Sequence, residues 1–166
     1  MGSGIKKLNL GCGKKLLPGY INIDLYGNPD IVSDIKVLPF NDEEVDEILA
    51  VHVFEHFYLK EVPDVLKEWK RVLKPRGMLV LELPCFNKVA QWLQVQPLKP
   101  QMTMWAMYGD PSTHHSEADL HKWLWSVEQI TDCLSFYKFE SIRYEDPCYH
   151  VKDRDMRITA INGTLL

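Results

Sequence analysis

The sequence predicts one α/β domain with a mostly parallel, twisted sheet, a last strand that runs antiparallel, and helices on both faces of the sheet. Two observations support this prediction. Short apolar strand patterns alternate with a helical pattern along the chain, and that helical pattern leads directly into a buried strand at Met78–Leu83, as in the second half of a βαβ unit. A chain of 166 residues has the length of one ordinary domain. We therefore assign residues 1–166 to a single domain.

The first half of the chain carries the parallel part of the predicted sheet. Strand patterns cover residues 6–10, 20–25, 30–33 and 45–53, and the last of these is apolar enough to be buried on both faces. Between residues 60 and 73 the apolar side chains fall on one face of a helix. Pro75-Arg76-Gly77 is a typical stop signal for that helix.

The second half is less regular. Residues 88–96 have a helical pattern, whereas the polar and aromatic residues 97–119 predict an irregular segment, and we interpret residues 97–121 as a lid-like insertion. Ser126 and Gln129 have the spacing of a capping box at the start of a further helix. Two closing strands, predicted at residues 137–144 and 155–161, would form a hairpin.

Composition argues against several partners and locations. The net charge of −4 gives no overall attraction to phosphate polymers, so nucleic acid is not an expected partner. All apolar runs are far shorter than the ~20 residues that cross a bilayer, so we expect no membrane partner. The four cysteines show no close pairing, which favours reduced thiols and a cytoplasmic location. Residues 1–4 are left out of the fold prediction as a vector-derived remnant.

Polar groups follow four of the predicted strands. Gly11 and Gly13 follow the first, where a missing Cβ lets a ligand approach the backbone. Asp24 ends the second strand, where a carboxylate can bind both hydroxyls of a ribose. Asp34-Ile35 follows the third, in place to contact the edge of an adenine, and His52 follows the fourth. Because parallel strands end at one edge of a sheet, these groups predict a site for an adenosyl ligand.

These motifs resemble the class I S-adenosylmethionine-dependent methyltransferases. Leu8–Gly13 is similar to their glycine-rich first motif and Asp24 to their ribose-binding acid. Ser33-Asp34-Ile35 and the segment Leu38–Asp42 resemble the adenine-side motif. The resemblance implies a Rossmann-like fold, S-adenosylmethionine as cofactor and S-adenosylhomocysteine as product.

The resemblance continues along nearly the whole chain. Val45–Ile48 with Val53–His56 is similar to the family's fourth strand and its turn, and Glu68–Gly77 to the helix and turn before the fifth strand, with Arg76 where glycine is usual. Tyr108-Gly109 and His121-Lys122-Trp123 resemble segments of a compact methyltransferase branch, similar to methyltransferase type 11. This branch implies a first helix reduced to a turn. The short Gly11–Gly19 connection agrees, since a full crossover needs a dozen or more residues.

We accordingly expect transfer of a methyl group from S-adenosylmethionine to a small-molecule or sugar-like acceptor. If the acceptor is a hydroxyl, a histidine is the natural base, and the candidates in order are His121, His115 and His56. The sequence identifies neither the acceptor nor the oligomeric state. The expected cofactor-binding residues are Asn9, Gly11, Cys12, Gly13, Asp24, Leu25, Asp34, Ile35 and His52.

Two alternatives stay open at this point. A non-catalytic protein that binds an adenosyl ligand would have the same glycines and acids. A zinc hydrolase is the other, because His52, Glu55 and His56 fit the H-x-x-E-H pattern of inverted zinc peptidases. That chemistry needs both histidines on one helix face, whereas His52 falls where a strand is ending. We therefore assign no metal ligand.

Overall fold

The computed structural model describes residues 4–95, 100–112 and 117–163. A seven-stranded sheet with the order β3-β2-β1-β4-β5-β7-β6 forms its centre. The strands are β1 (Lys7–Leu10), β2 (Ile21–Asp24), β3 (Ile31–Val32), β4 (Val45–Val51), β5 (Leu73–Pro84), β6 (Phe139–Glu145) and β7 (Asp155–Asn162). Neighbours from β3 to β5 are parallel, and β7 is antiparallel to both β5 and β6. The predicted mixed sheet with an antiparallel last strand is confirmed.

Four α-helices accompany the sheet in the described ranges. They are α1 (Val62–Val72), α2 (Phe86–Val95), α3 (Pro100–Tyr108) and α4 (Val127–Phe136), with short 3-10 turns at Phe54–His56 and Glu117–Asp119. None of these helices is both long enough and apolar enough to cross a membrane. The fold class predicted from the sequence is confirmed by this architecture.

Helix α1 lies between β4 and β5 and buries one apolar face. Its buried residues are Val62, Val65, Leu66, Trp69 and Val72, and they have the three- and four-residue spacing that the sequence predicts for a core-facing helix. Pro63 in the first turn costs no hydrogen bond, because the first N–H groups of a helix have no partner inside it. The core therefore sits on the central strands β1, β4 and β5.

The predicted capping box is present at the start of α4. The Gln129 N–H donates to the Ser126 side chain at 3.1 Å, and the Ser126 N–H donates to the Gln129 side chain at 3.2 Å. This reciprocal pair satisfies two N–H groups that the helix itself leaves unpaired. It fixes the start of the helix that carries Ile130 and Leu134 into the core.

The connection between β1 and β2 contains turns and no helix throughout residues 11–20, all of which are described. Gly11, Gly13 and Gly19 lie in this connection with positive φ angles of 62°, 52° and 82°. The reduced first helix is thereby confirmed. With this helix missing, its N-terminal pole cannot hold the far end of a ligand that lies against β1.

The predicted irregular segment at 97–119 is wrong where α3 forms at Pro100–Tyr108. Two prolines and several aromatic residues suggest a loop, but Pro100 stands at the first helical position, where its fixed φ is compatible with a helix. The following Met and Ala residues have high helix propensity. Residues 1–3 and part of the predicted lid, residues 97–99 and 113–116, lie outside the described residues.

Candidate active site

A cavity of about 540 Å³ opens at the carboxyl ends of the parallel strands, within the size range of small-molecule sites. Its walls come from four strand ends and from the turns after them. The lining residues at the strand ends are Gly11 and Gly13 after β1, Asp24, Leu25 and Tyr26 at β2, Ser33, Asp34, Ile35 and Lys36 after β3, and His52 and Val53 after β4. The juxtaposition predicted from the sequence, with Gly11, Asp24 and Asp34 around one crevice, is present in the structure.

Asp24 ends β2 and faces the turn that follows β1. Its Oδ2 accepts a hydrogen bond from the Gly13 N–H at 2.7 Å, and its Oδ1 accepts one from the Tyr26 N–H at 3.0 Å. A carboxylate has about four lone-pair positions, so two backbone bonds leave each oxygen able to accept from a ligand hydroxyl. The two backbone donors fix the direction in which the carboxylate points.

The segment after β3 is held by helix α1. The Trp69 Nε1–H donates to the Ile35 carbonyl at 2.9 Å, and the Leu38 N–H donates to Glu68 Oε1 at 2.7 Å. Trp69 is completely buried, so it fixes the Ile35 backbone to the core. Asp34 is stabilised locally, because its Oδ1 accepts from the Lys36 N–H at 2.9 Å. The segment after β3 is therefore positioned by helix α1.

Gly11 is required by close packing at the end of β1. A Cβ at this position would lie 2.5 Å from Val53 Cγ2, closer than nonbonded carbon atoms can approach. Gly13 differs, because a Cβ there would meet no atom within 4 Å, although its φ is +52°. Packing thus requires the first glycine, and backbone conformation favours the second.

His52 sits in the turn after β4 with a φ of 53°. Its Nδ1 lies 3.1 Å from Glu55 Oε1 and its Nε2 lies 3.2 Å from Asp155 Oδ2. Burial opposes the charged ring, but the Glu55 and Asp155 carboxylates outweigh it and raise the pKa of His52 to about 9. Burial likewise opposes a charged Glu55, but the His52 charge dominates and lowers the Glu55 pKa to about 2.

His56 lines the outer part of the cavity together with residues from the turn at Glu117–Asp119. Its Nδ1 lies 3.1 Å from the Leu120 carbonyl oxygen. Because a carbonyl only accepts, Nδ1 carries the hydrogen in this contact, and Nε2 of a neutral ring is left as an acceptor. Among the proposed catalytic histidines, His56 is the one in the described residues whose side chain lines the cavity.

The other predicted site residues have different positions. Asn9 is buried and donates to the Lys15 carbonyl at 3.0 Å and to Asn22 Oδ1 at 2.9 Å, so it braces the turn without lining the cavity. Cys12 is buried, and burial together with the Asp24 charge raises the pKa of its thiol to about 11. The His121 side chain is 8% exposed and lies behind the cavity wall. His115 lies outside the described residues.

Five polar residues of the outer wall are absent from the predicted set of site residues: Tyr58, Glu61, Glu117, Asp119 and Lys122. The Tyr58 hydroxyl donates to Glu117 Oε1 at 2.9 Å, and the Lys122 ammonium lies 5.2 Å from the Tyr58 ring centroid. Lys122 belongs to the His-Lys-Trp segment that the sequence analysis singles out, so a signal for it exists. Tyr58 and Glu61 lie together just before helix α1, far in sequence from Glu117. The meeting of these two segments has no local pattern.

Part of the chain is similar to a methyltransferase family. Residues 23–81 match the family model described as a methyltransferase domain. This stretch runs from the end of β2 to the middle of β5 and contains Asp24, Asp34 and His52. No curated protein is similar enough in sequence to match the chain.

Solved structures share the fold at low sequence identity. A SAM-dependent methyltransferase from Archaeoglobus fulgidus has 16% identity over 95% of this chain and 86% of that chain, with a TM-score of 0.66. One from Methanosarcina mazei has 19% identity over 97% and 93%, with a TM-score of 0.63, and one from Aquifex aeolicus has 15% over 95% and 81%, with a TM-score of 0.58. The family match over residues 23–81 and the shared fold agree with the resemblance to class I S-adenosylmethionine-dependent methyltransferases that the sequence motifs indicate.

Proposed function

We propose that this enzyme methylates a small, polar, hydroxyl-bearing acceptor, of which a sugar-like molecule is one class, and that the cavity at the strand ends holds both the cofactor and the acceptor. The observation that carries the proposal is that one cavity joins the Asp24 and Asp34 strand ends to a polar outer wall with His56, Tyr58 and Lys122. The first part has the groups that an adenosyl ligand needs. The second has the donors and acceptors that a hydroxylated acceptor needs.

The donor set at the inner part fits an adenosyl ligand. The Asp24 carboxylate has accepting capacity left for two ribose hydroxyls beside its bonds to Gly13 and Tyr26. The Asp34 side chain and the Ile35 backbone are in place for the polar edge of the base. Leu25 offers an apolar contact, and Gly11 and Gly13 let the ligand approach the backbone of the first turn.

Bound S-adenosylmethionine supplies a methyl group that its sulfonium already makes electrophilic. The residues of this chain then have mainly to hold the acceptor oxygen in line with the sulfur–methyl bond. Positioning of this kind contributes up to about 7–11 kcal/mol to a rate enhancement. Tyr58, Glu117 and Lys122 form a hydrogen-bonding wall that can orient hydroxyl groups.

We assign the role of general base to His56. Its Nδ1–H faces the Leu120 carbonyl, so Nε2 is the atom that can accept the acceptor's proton. His121 is the first candidate from the sequence, but its side chain is 8% exposed and does not line the cavity. The arrangement of the described residues therefore favours His56 over His121.

The test is turnover of S-adenosylmethionine with a panel of small acceptors. The purified protein is incubated with the cofactor and with sugars, phenols, amines and carboxylates, and S-adenosylhomocysteine is quantified. Faster formation of S-adenosylhomocysteine with hydroxyl-bearing acceptors supports the proposal. Turnover confined to amines or carboxylates would contradict the acceptor class, and cofactor binding without turnover on any acceptor would favour a non-catalytic binding protein.

A further inference from the structure

Glu55 is a fully buried carboxylate without an aligned hydrogen-bond donor among the described residues. The residue is 0% exposed, and neither Oε1 nor Oε2 has a hydrogen-bond partner among the described residues. His52 Nδ1 is 3.1 Å from Oε1, but this contact lacks the alignment of a hydrogen bond. Buried carboxylates are normally paired with a cation or coordinated to a metal, and the His52 ring is the paired group here when it is charged.

A second histidine presents a lone pair to the same carboxylate. His121 Nδ1 lies 2.9 Å from the Ala106 carbonyl oxygen, which fixes the hydrogen on Nδ1. The other ring nitrogen, Nε2, is 3.8 Å from Glu55 Oε1. In the neutral ring Nε2 is an acceptor, so an acceptor nitrogen faces an acceptor oxygen with no hydrogen between them. A metal ion that binds both atoms would make this arrangement favourable.

His52 completes the set from the opposite side. Its Nε2 lies 3.2 Å from Asp155 Oδ2 and 3.3 Å from Arg154 Nη2. With the Nε2 hydrogen donated to Asp155, Nδ1 is the nitrogen left free to bind a metal, and it is directed at Glu55. A carboxylate or a carbonyl behind the ring is the usual support of a metal-bound histidine, because it fixes the tautomer and the ring orientation. Both histidines here have such a support, Asp155 for one and Ala106 for the other.

We propose that His52, Glu55 and His121 bind one divalent first-row transition-metal ion, with zinc as the first candidate. One ligand atom from each residue lies within 4.8 Å of the other two. Ligands 2.0–2.2 Å from a tetrahedral ion are roughly 3.3 Å apart, so the observed 3.1 Å and 3.8 Å contacts to Glu55 Oε1 need only small adjustments. Two histidines and a glutamate are a known catalytic zinc set that leaves a fourth position open.

The backbone fixes the distance between the two segments that carry the ligands. The Lys122 and Trp123 N–H groups donate to the Glu55 carbonyl at 2.8 Å and 3.2 Å, and the His121 N–H donates to the Tyr108 carbonyl at 3.3 Å. The segment after the second 3-10 turn is thus tied to the first 3-10 turn, next to Glu55. The ligand set differs from the zinc pattern in the sequence, because His121 takes the place of His56 and comes from a distant segment.

A neighbouring group of possible ligands is less suitable. His52, His150 and Asp155 also bring their ligand atoms within 4.8 Å of one another. Asp155, however, already accepts hydrogen bonds from Arg154 Nε at 2.6 Å and Nη2 at 2.7 Å and from the Val151 N–H at 3.1 Å. The charge of Asp155 is therefore already compensated by the Arg154 guanidinium. The unpartnered carboxylate of Glu55 makes its own group the stronger site.

The test measures metal binding in the absence of cofactor and acceptor, so its outcome is independent of methyl transfer. The full chain is stripped with a chelator, dialysed, and titrated with zinc chloride in a calorimeter. We expect one zinc per chain for the wild-type protein and for the control variant His150→Gln. We expect at least about a 100-fold loss of affinity for Glu55→Gln and His121→Gln, since each removes a ligand.

Cobalt binding to the wild-type protein gives a readout that does not depend on variants being folded. Cobalt(II) in the zinc site is expected to produce the visible absorption of a four- or five-coordinate ion, and zinc is expected to displace it. Absence of zinc and cobalt binding in the wild-type protein would overturn the proposal. It would also be overturned if a folded His121→Gln variant bound zinc as the wild type does, or if His150→Gln abolished binding.

Discussion

Asp24 Oδ2 accepts a hydrogen bond of 2.7 Å from the backbone N–H of Gly13. This single contact joins the end of β2 to the turn after β1. The Gly13 N–H offers a backbone donor to the negatively charged Asp24 side chain, as the N-terminus of a helix does in other proteins. Because the first helix is absent from residues 11–20, this contact and the Tyr26 N–H are what orient the Asp24 carboxylate in the cavity.

Replacing the two glycines of the first turn should have different consequences. Gly11→Ala puts a Cβ at 2.5 Å from Val53 Cγ2, whereas Gly13→Ala meets no atom within 4 Å. We expect Gly13→Ala to cost only the strain of a positive φ, about 1–2 kcal/mol, and Gly11→Ala to cost more. Urea unfolding of both variants measures the difference. Val53→Ala should recover part of the loss in the Gly11→Ala background, and equal costs for the two glycines would contradict this packing argument.

Arg76 stands where the methyltransferase motif that this segment resembles usually has glycine, and its φ is 68°. Its exposed side chain makes one long ion pair, 3.9 Å from Glu140, which contributes little. Arg76→Gly is therefore expected to raise the free energy of unfolding by about 1 kcal/mol. Arg76→Ala is the matched control and should not stabilise, because alanine has the same difficulty with a positive φ. Destabilisation by Arg76→Gly in urea unfolding would contradict this reasoning.

His56→Gln should lower the turnover number by about 10²–10⁴-fold for a hydroxyl acceptor, since it removes the proposed base. The affinity for S-adenosylmethionine should change little, because His56 lies at the outer wall and not at the Asp24 end. Steady-state kinetics and cofactor binding measured on the same preparation separate the two effects. A loss of cofactor affinity with unchanged turnover would assign His56 to the cofactor instead.

The stability of the metal-free protein should depend on pH through His52 and Glu55. The His52 pKa is raised from 6.5 to about 9, so its contribution is complete below pH 6.5 and is lost as the pH rises through 9. The Glu55 pKa is lowered from 4.5 to about 2, so its contribution is complete above pH 4.5 and is lost as the pH falls through 2. We expect both contributions to be complete between pH 4.5 and 6.5.

Urea unfolding at a series of pH values, with a chelator present, measures this dependence. Above pH 6.5 the free energy of unfolding should fall by up to about 1.4 kcal/mol per pH unit in the wild-type protein. His52→Gln should be less stable at pH 6 but should show a shallower decline, while the control His150→Gln should keep the wild-type slope. A wild-type curve that is flat from pH 6.5 to 9 would show that His52 is not held in its charged form.

Much of the fold was predictable because local sequence signals agreed with the tertiary structure. The apolar spacing of α1, the glycine turn after β1 and the capping box at Ser126 each point to the observed element. Helix α3 was missed because prolines and aromatic residues hide its propensity. The start of β5 was also missed, because this strand begins at Leu73 and not at Met78. The turn predicted at residues 75–77 is present as a register shift in the pairing of β4 with β5.

The cavity was predictable at the strand ends and not at its outer wall. Asp24, Asp34 and His52 follow strands, and parallel topology alone brings such positions to one edge. Tyr58, Glu117 and Lys122 meet through loop paths that have no periodic signal. The Glu55–His121 contact is of the same kind, because backbone hydrogen bonds between distant segments create it. Asn9 was predicted to bind the cofactor because it stands beside the glycine motif. In the structure it hydrogen-bonds to the turn after β1 and does not line the cavity.

The most direct test of the central claim, that an adenosyl cofactor binds at the strand ends with its ribose on Asp24, is calorimetric titration with S-adenosylmethionine. We predict micromolar binding to the wild-type protein and a loss of about 2–4 kcal/mol, or about 30- to 1,000-fold in affinity, for Asp24→Ala. Asp64→Ala is the matched control, because that carboxylate is exposed and makes only a 3.5 Å ion pair with Lys67. Wild-type affinity in a folded Asp24→Ala variant would contradict the account.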